Sequence, residues 1–189
     1  MDVTTRRSRS AAIGCLVVAA LITVCVVFVY SGVYSVAAIK RHPAIEGELL
    51  NKLMVESVRY HARDVQVPAE VNLRNRALAE KTVGYQKACR TCHGAPGAKP
   101  DPWEYLYPPA PDLTRSEIVD KWSDAELYWI IKNGIEHTGM PGLGPTHSDE
   151  EMWSLSAFVR QLPTMSPVEY QAMAERYEAA HKNMEQHQR

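Results

Sequence analysis

The pentapeptide Cys89-Arg90-Thr91-Cys92-His93 constrains this chain more than any other stretch. Two thiols three positions apart, followed directly by a histidine, have the spacing at which two haem vinyl groups form thioethers while the adjacent imidazole ligates the iron. The motif therefore predicts one covalent haem c, attached at Cys89 and Cys92 and ligated through iron by His93.

Two other kinds of site use the same residue types. A thioredoxin-like redox pair follows a strand in an alternating pattern of strands and helices, and no such pattern is visible here. A structural zinc site needs a second pair of ligands at finger-like spacing, whereas the other cysteines, Cys15 and Cys25, lie far upstream in an apolar segment. Both alternatives stay open, but the surrounding sequence favours the haem site.

Charge divides the chain unevenly. The 189 residues carry a formal net charge of −1, and their length suits one domain with appendages. Residues 1–41 hold five basic side chains against Asp2, a balance of +4, which leaves −5 for the remainder. An acidic soluble part lacks the basic face that nucleic-acid binding requires, and it favours redox partners with a basic or mixed surface.

An uncharged run from Ala11 to Val29 predicts a membrane anchor. At 1.5 Å per residue its helix would be about 28 Å long, close to the thickness of a hydrocarbon core. Three arginines precede it, so the positive-inside rule predicts a single-pass protein of the cytoplasmic membrane with its later residues facing the periplasm or cell exterior. A cleaved signal peptide is the alternative, because Ser35-Val36-Ala37 offers small residues at a cleavage site; we favour the uncleaved anchor.

The rest of the sequence predicts helices and proline-rich loops. Apolar residues at helical spacing predict an amphipathic connector helix over residues 44–63 and a further helix over residues 73–88. Capping boxes beginning at Ser123 and Ser148 start helices that run to Asn133 and Leu162, and Ser166 starts a last one. No general acid and base pair, nucleophile or phosphate loop is discernible. The fold class predicted is all-α.

Residues 73–162 resemble a class I (mono-haem) cytochrome c of the membrane-anchored bacterial type. The resemblance rests on the Cys-His pentapeptide, on an aromatic residue in each of the flanking helices (Tyr85 and Phe158), and on Gly139-Met140-Pro141-Gly142. The chain departs from the family at Lys81, where a glycine usually stands four residues before the first aromatic. The fold implied is that of class I cytochromes c, with an N-terminal transmembrane helix and an extra C-terminal helix added.

The same resemblance implies roles for further residues. Met140 would be the sixth, thioether ligand of the iron; His137 and His147 flank its loop and are the alternatives. A proline carbonyl would accept a hydrogen bond from the second ring nitrogen of His93, with Pro108 and Pro109 as candidates.

Four regions follow: residues 1–41 as cytoplasmic N-terminus and anchor, 42–70 as connector, 71–165 as haem domain and 166–189 as C-terminal helix and tail. The function expected is non-enzymatic relay of single electrons, by a tethered carrier or by a subunit of a respiratory or dehydrogenase complex. The alternative is a haem-based gas or redox sensor. The partners expected are the bilayer and redox proteins or a membrane oxidoreductase complex, not nucleic acid.

Overall fold

A computed structural model gives the structure of the chain and describes residues 3–37, 43–75, 84–100 and 108–176. By its internal contacts the chain divides into two compact units, residues 1–40 and residues 41–189. The described ranges consist of helices, turns and loops, and their β structure is limited to one isolated bridge between Ala95 and Ala98. The predicted all-α class is confirmed.

The first unit contains one long helix, α1, which runs from Val3 to Tyr30. Its stretch Ala12–Tyr30 has 19 residues and is long and apolar enough to cross a membrane. A signal sequence near the N-terminus would share that property, so the helix is compatible with the predicted anchor without deciding whether the segment is retained.

The second unit begins with helix α2, Ala44–Ala62, which confirms the helix predicted over residues 44–63. Its C-terminal half packs against the rest of the unit, because Val58 and Ala62 are buried. The imidazole of His61 stacks on the indole of Trp129, with ring centroids 5.9 Å apart and planes 12° apart. The connector therefore rests partly on its own domain.

The helix predicted over residues 73–88 is wrong at its start. Leu73 lies in a turn, because the side chain of Asn72 accepts the Arg74 N–H at 2.9 Å, as in an Asx turn. The Gln161 amide donates to the carbonyls of Leu73 and Asn75 at 3.0 and 3.1 Å and holds the turn in place. Residues 76–83, including Lys81, lie outside the described residues.

The remaining helices of the second unit include the Cys-His pentapeptide and the elements that follow it. They are α3 (Tyr85–Ala88), α4 (Arg90–His93), α5 (Ser116–Val119), α6 (Asp124–Asn133) and α7 (Asp149–Gln161), followed by a 3₁₀ turn (Leu162–Thr164) and by α8, whose described part is 167–176. Both predicted capping boxes are confirmed: Ser123 pairs with Glu126 and Ser148 with Glu151. These caps satisfy N–H groups that the first turn of a helix leaves without partners.

Helix α7 is the centre of the core. All its residues from Met152 to Val159 are buried. Beyond them, Arg160 has a side chain only 8% exposed. Its guanidinium donates to the Trp122 carbonyl at 2.7 Å, to the Val119 carbonyl at 3.1 Å and to the Asp124 carboxylate at 2.8 Å. The Arg160 guanidinium on α7 thus holds the turn between α5 and α6 against α7 through these hydrogen bonds.

Candidate functional site

The predicted haem-binding residues Cys89, Cys92 and His93 lie within a single helical turn. The N–H groups of Cys92 and His93 both donate to the Cys89 carbonyl, at 3.1 and 2.9 Å. Both cysteine side chains are half-buried and neither forms a disulfide, while His93 is buried. The structure therefore brings all three predicted residues together. We call residues 84–98 the Cys-His segment.

The ring of His93 is oriented by a backbone carbonyl. Its Nδ1 atom lies 2.7 Å from the carbonyl oxygen of Pro111. A carbonyl can only accept, so the proton is on Nδ1 and the neutral ring keeps the Nε2 lone pair free for a metal. The predicted hydrogen bond to a loop proline is present. The prediction of Pro108 or Pro109 is wrong by two or three positions, since Pro111 makes the bond. The reason is that the Leu113 N–H donates to the His93 carbonyl at 3.3 Å and so brings Pro111 next to the ring.

The electrostatics favour a neutral, ligating imidazole over a reactive thiol. Burial lowers the pKa of His93, opposed by its hydrogen bond to Pro111. Burial and the neighbouring Cys92 raise the pKa of Cys89 to about 12. Redox-active cysteine pairs need a lowered pKa, since the thiolate is the nucleophile. The Cys89 thiol is therefore poorly suited to thioredoxin-like exchange, and the redox-pair alternative loses support.

Tyr85 supports the backbone directly after the ligand. Its side chain is 1% exposed and its hydroxyl donates to the carbonyl of Gly94 at 2.7 Å. Its ring packs 5.0 Å from that of Phe158 on α7 and 6.4 Å from that of Tyr170 on α8, both centroid to centroid. The hydroxyl of Tyr170 in turn donates to the side-chain oxygen of Gln86. The two aromatic residues on which the resemblance rests are thus in contact, whereas the hydroxyl bond had no signal in the sequence.

Met140 lies in a tight loop that follows α6, which we call the methionine loop (residues 134–147). The loop is fastened to the end of the helix by its backbone: the Leu143 and Gly144 N–H groups donate to the Ile131 and Lys132 carbonyls at 3.1 and 2.9 Å. The Met140 carbonyl accepts from the Ile135 N–H at 3.2 Å. Met140 is half-buried and lies in the loop that follows α6, while its role as an iron ligand stays a prediction.

Two glycines make this loop possible. A Cβ added to Gly134, whose φ is +70°, would lie 2.5 Å from the nitrogen of Gly142. A Cβ on Gly142 would lie 2.7 Å from the backbone of Asn133. Such distances require the backbone to move. The sequence pattern predicted that the helix ends before Gly134. It gave no sign that the backbone at residue 142 passes so close to the backbone at residues 133 and 134.

The alternative histidine ligands, His137 and His147, are both exposed. The side chain of His137 is 87% exposed, 3.8 Å from the Glu136 carboxylate. His147 is also exposed, and its Nδ1 lies 2.9 Å from the Thr146 hydroxyl. Neither imidazole is held in the half-buried setting of Met140. In this conformation both are poorer candidates for a sixth ligand.

A cleft of about 810 Å³ lies on another part of the second unit. Its lining includes Lys132 and Asp149, whose ammonium and carboxylate are 2.8 Å apart, and Trp153, which stacks on Tyr128 at 4.0 Å. None of the predicted haem residues lines it. The cleft is therefore separate from the site formed by the Cys-His segment.

Comparison with known proteins identifies the domain. Residues 76–159 match the family model described as "Cytochrome C oxidase, cbb3-type, subunit III". The matched range contains the Cys-His segment and the whole methionine loop with Met140. No curated protein and no solved structure matches the chain. The helical structure and this match support the class I resemblance: residues 76–159 are similar to a c-type cytochrome, a haem-based electron-transfer domain.

Proposed function

We propose that the chain is a membrane-anchored cytochrome c that relays single electrons on the periplasmic side of the cytoplasmic membrane, without catalysing a reaction of its own. The observation that carries the proposal is the buried His93 ring, whose Nδ1 is committed to the Pro111 carbonyl and whose Nε2 is free to ligate iron. The description of the matching family names an oxidase subunit. That description favours a subunit of a respiratory complex over a free tethered carrier.

The residues fit one covalent haem. Cys89 and Cys92 would carry the thioethers, His93 would be the proximal ligand and Met140 the distal one. When bound, the haem supplies a reversible one-electron couple whose potential is raised by a thioether ligand. The chain's own contribution is to orient His93 through Pro111, to keep the ring neutral by burial, and to hold the methionine loop rigid.

The anchor and its orientation come from the first unit. Ala12–Tyr30 would span the bilayer, and Arg6, Arg7 and Arg9 before it would stay on the cytoplasmic side. The haem domain would then lie in the periplasm or outside the cell. Protease added to intact spheroplasts should digest the haem domain and leave the N-terminus protected; a resistant haem domain would contradict the orientation.

The sixth ligand separates an electron carrier from a gas or redox sensor. Met140→Leu should lower the midpoint potential by on the order of 0.1 V, because axial ligands set haem potentials over a range of about 0.8 V. It should also remove the weak sulfur-to-iron absorption band and allow the reduced protein to bind carbon monoxide. Met165→Leu is the matched control, because Met165 is buried away from the loop in the turn after α7.

The outcome that would overturn the electron-transfer assignment is equally specific. Unmodified reduced protein that binds carbon monoxide readily while its fold is intact would have an open iron position, as a sensor requires. Retention of the band and the potential in Met140→Leu would place the ligand elsewhere in the chain.

A further inference from the structure

Helix α2 is apolar on two opposite faces. One face contains Val58 and Ala62, which are buried against the haem-domain core. The other contains Ile45, Leu49 and Leu53, which are 75%, 69% and 65% exposed. Leu49 and Val58 are nine positions apart, which at about 100° per residue places them about half a turn apart on the helix. Among the described residues of the second unit, no element covers this second face.

The exposed apolar face is confined to the first half of the helix. Beyond Leu53 on the same side come polar and charged groups. Glu56 pairs with the preceding Lys52 at 2.7 Å, and the Arg63 guanidinium lies 3.6 Å over the ring of Tyr60. These charged groups suit contact with water. The face defined by Ile45, Leu49 and Leu53, which we call the apolar stripe, therefore stops where the helix begins to pack on its own domain.

The stripe lies on the part of the second unit closest in sequence to the membrane span. The span ends at Tyr30 and α2 begins at Ala44. The thirteen residues between them reach at most about 45 Å when fully extended. Within this linker Val33 and Val36 are also exposed, 78% and 86%. Exposed apolar side chains are thus present both in the described residues that follow the span and in the first half of α2.

We infer that the apolar stripe of α2 lies in the interface of the same bilayer that holds α1. Monomeric soluble proteins rarely leave a row of large aliphatic side chains in water, and an amphipathic helix beside a membrane buries such a row at the boundary between headgroups and acyl chains. The inference rests on the proposed anchoring and adds a second, peripheral contact to it. With two contacts the haem domain is held against the membrane surface and does not swing freely on a linker.

The charges along the helix fit a shallow position. Glu48 and Lys52 flank the stripe and are exposed, so they would remain at headgroup level while Leu49 and Leu53 enter the acyl region. Lys40 and Arg41, which precede the helix in sequence, add attraction to anionic lipids. The stripe therefore needs no deep insertion and no partner protein to be covered.

Spin labels on the full, haem-loaded chain in lipid nanodiscs test the inference. Cys15 and Cys25 are first replaced by alanine, and the thioethers at Cys89 and Cys92 do not react with the label. Labels are then placed at Leu49→Cys and Leu53→Cys, with Glu48→Cys as the matched control on another side of the helix. Leu21→Cys, within the span, reports on the anchor itself. Collision with oxygen, which concentrates in lipid, is compared with collision with a water-soluble nickel complex.

The expected result is an oxygen-to-nickel collision ratio several-fold higher at Leu49→Cys and Leu53→Cys than at Glu48→Cys. Equal ratios at all three positions, with Leu21→Cys deep in lipid, would overturn the inference and leave the anchor intact. Protection of Leu49→Cys from both reagents would also overturn it, since a protein partner or a second copy would then cover the stripe. A water-exposed Leu21→Cys label would overturn the anchoring, and the inference with it.

Discussion

The Cys-His segment and the methionine loop are held in place by different means. The Cys-His segment depends on side-chain contacts: the Tyr85 hydroxyl bonds to Gly94, the Tyr85 ring packs on Phe158 of α7, and the His93 ring bonds to the Pro111 carbonyl. The methionine loop depends on backbone hydrogen bonds to the end of α6 and on close backbone contact at two glycines. Truncating side chains should therefore damage the first region most, and adding a methyl group should damage the second.

The largest loss of stability is expected when the ring that supports the Cys-His segment from α7 is removed. Phe158→Ala removes a ring that is 3% exposed and packs on Tyr85, and loss of a buried phenylalanine costs about 3–5 kcal/mol of unfolding free energy. Urea denaturation of the haem-loaded protein measures this cost. Phe158→Leu keeps most of the apolar volume and should cost less than half as much. If both variants lost the same small amount of unfolding free energy, the Phe158 ring would not be stabilising the Cys-His segment.

Gly142→Ala should lower the unfolding free energy by less than Phe158→Ala does, and its effect should be on the methionine loop. The new Cβ would lie 2.7 Å from the backbone of Asn133, and relieving such overlap costs about 2–3 kcal/mol. The sulfur-to-iron band should weaken because the loop that carries Met140 must shift. Gly84→Ala is the control, since nothing lies within 4 Å of a Cβ at that position. If Gly142→Ala behaved like Gly84→Ala, the account of the loop would be wrong.

Removing the hydroxyl of Tyr85 distinguishes the contribution of its hydrogen bond from that of its ring packing in the Cys-His segment. Tyr85→Phe keeps the contact with Phe158 but leaves the buried Gly94 carbonyl without its donor, at a cost of about 1–2 kcal/mol. The sulfur-to-iron band should be unchanged, because the methionine loop does not use this bond. A change in that band without loss of stability would show that the two regions are coupled.

The smallest effect concerns acid stability near the start of α7. Hydrogen bonds from Lys132 and Tyr128 lower the pKa of Asp149 from its ordinary value of 3.8. The Asp149 carboxyl therefore binds a proton less readily in the folded protein than in the unfolded chain. Its ionised form stabilises the fold above about pH 4, and this stabilisation is lost as the pH falls through the lowered pKa. Asp149→Asn should reduce the drop in urea midpoint between pH 7 and pH 3. Asp64→Asn, at an exposed carboxylate, should leave that drop unchanged.

Local patterns in the sequence predicted the parts of the fold that local interactions determine. The capping boxes at Ser123 and Ser148 and the end of α6 at Gly134 lie where the residues predicted them, because each depends on neighbours within a turn. The pentapeptide likewise forms one turn that brings Cys89, Cys92 and His93 together.

Features that depend on distant parts of the chain were missed or misplaced. The proline that orients His93 was predicted in the right loop but at the wrong position, since a contact between Leu113 and His93 sets the register. The start of the helix before the motif was wrong because Gln161, far along the chain, stabilises a turn there. The four predicted regions and the roles of Cys89, Cys92, His93 and Met140 in holding a haem stay predictions.

The mass of the intact, purified chain tests the central claim most directly. If Cys89 and Cys92 carry a haem, the full-length protein should have the mass of the polypeptide plus one haem under denaturing conditions that remove non-covalent ligands. Replacing both residues by alanine should abolish the added mass, whereas replacing Cys15 and Cys25 should leave it. An unmodified protein produced with haem attachment active, but with no haem in its denatured mass, would contradict the account.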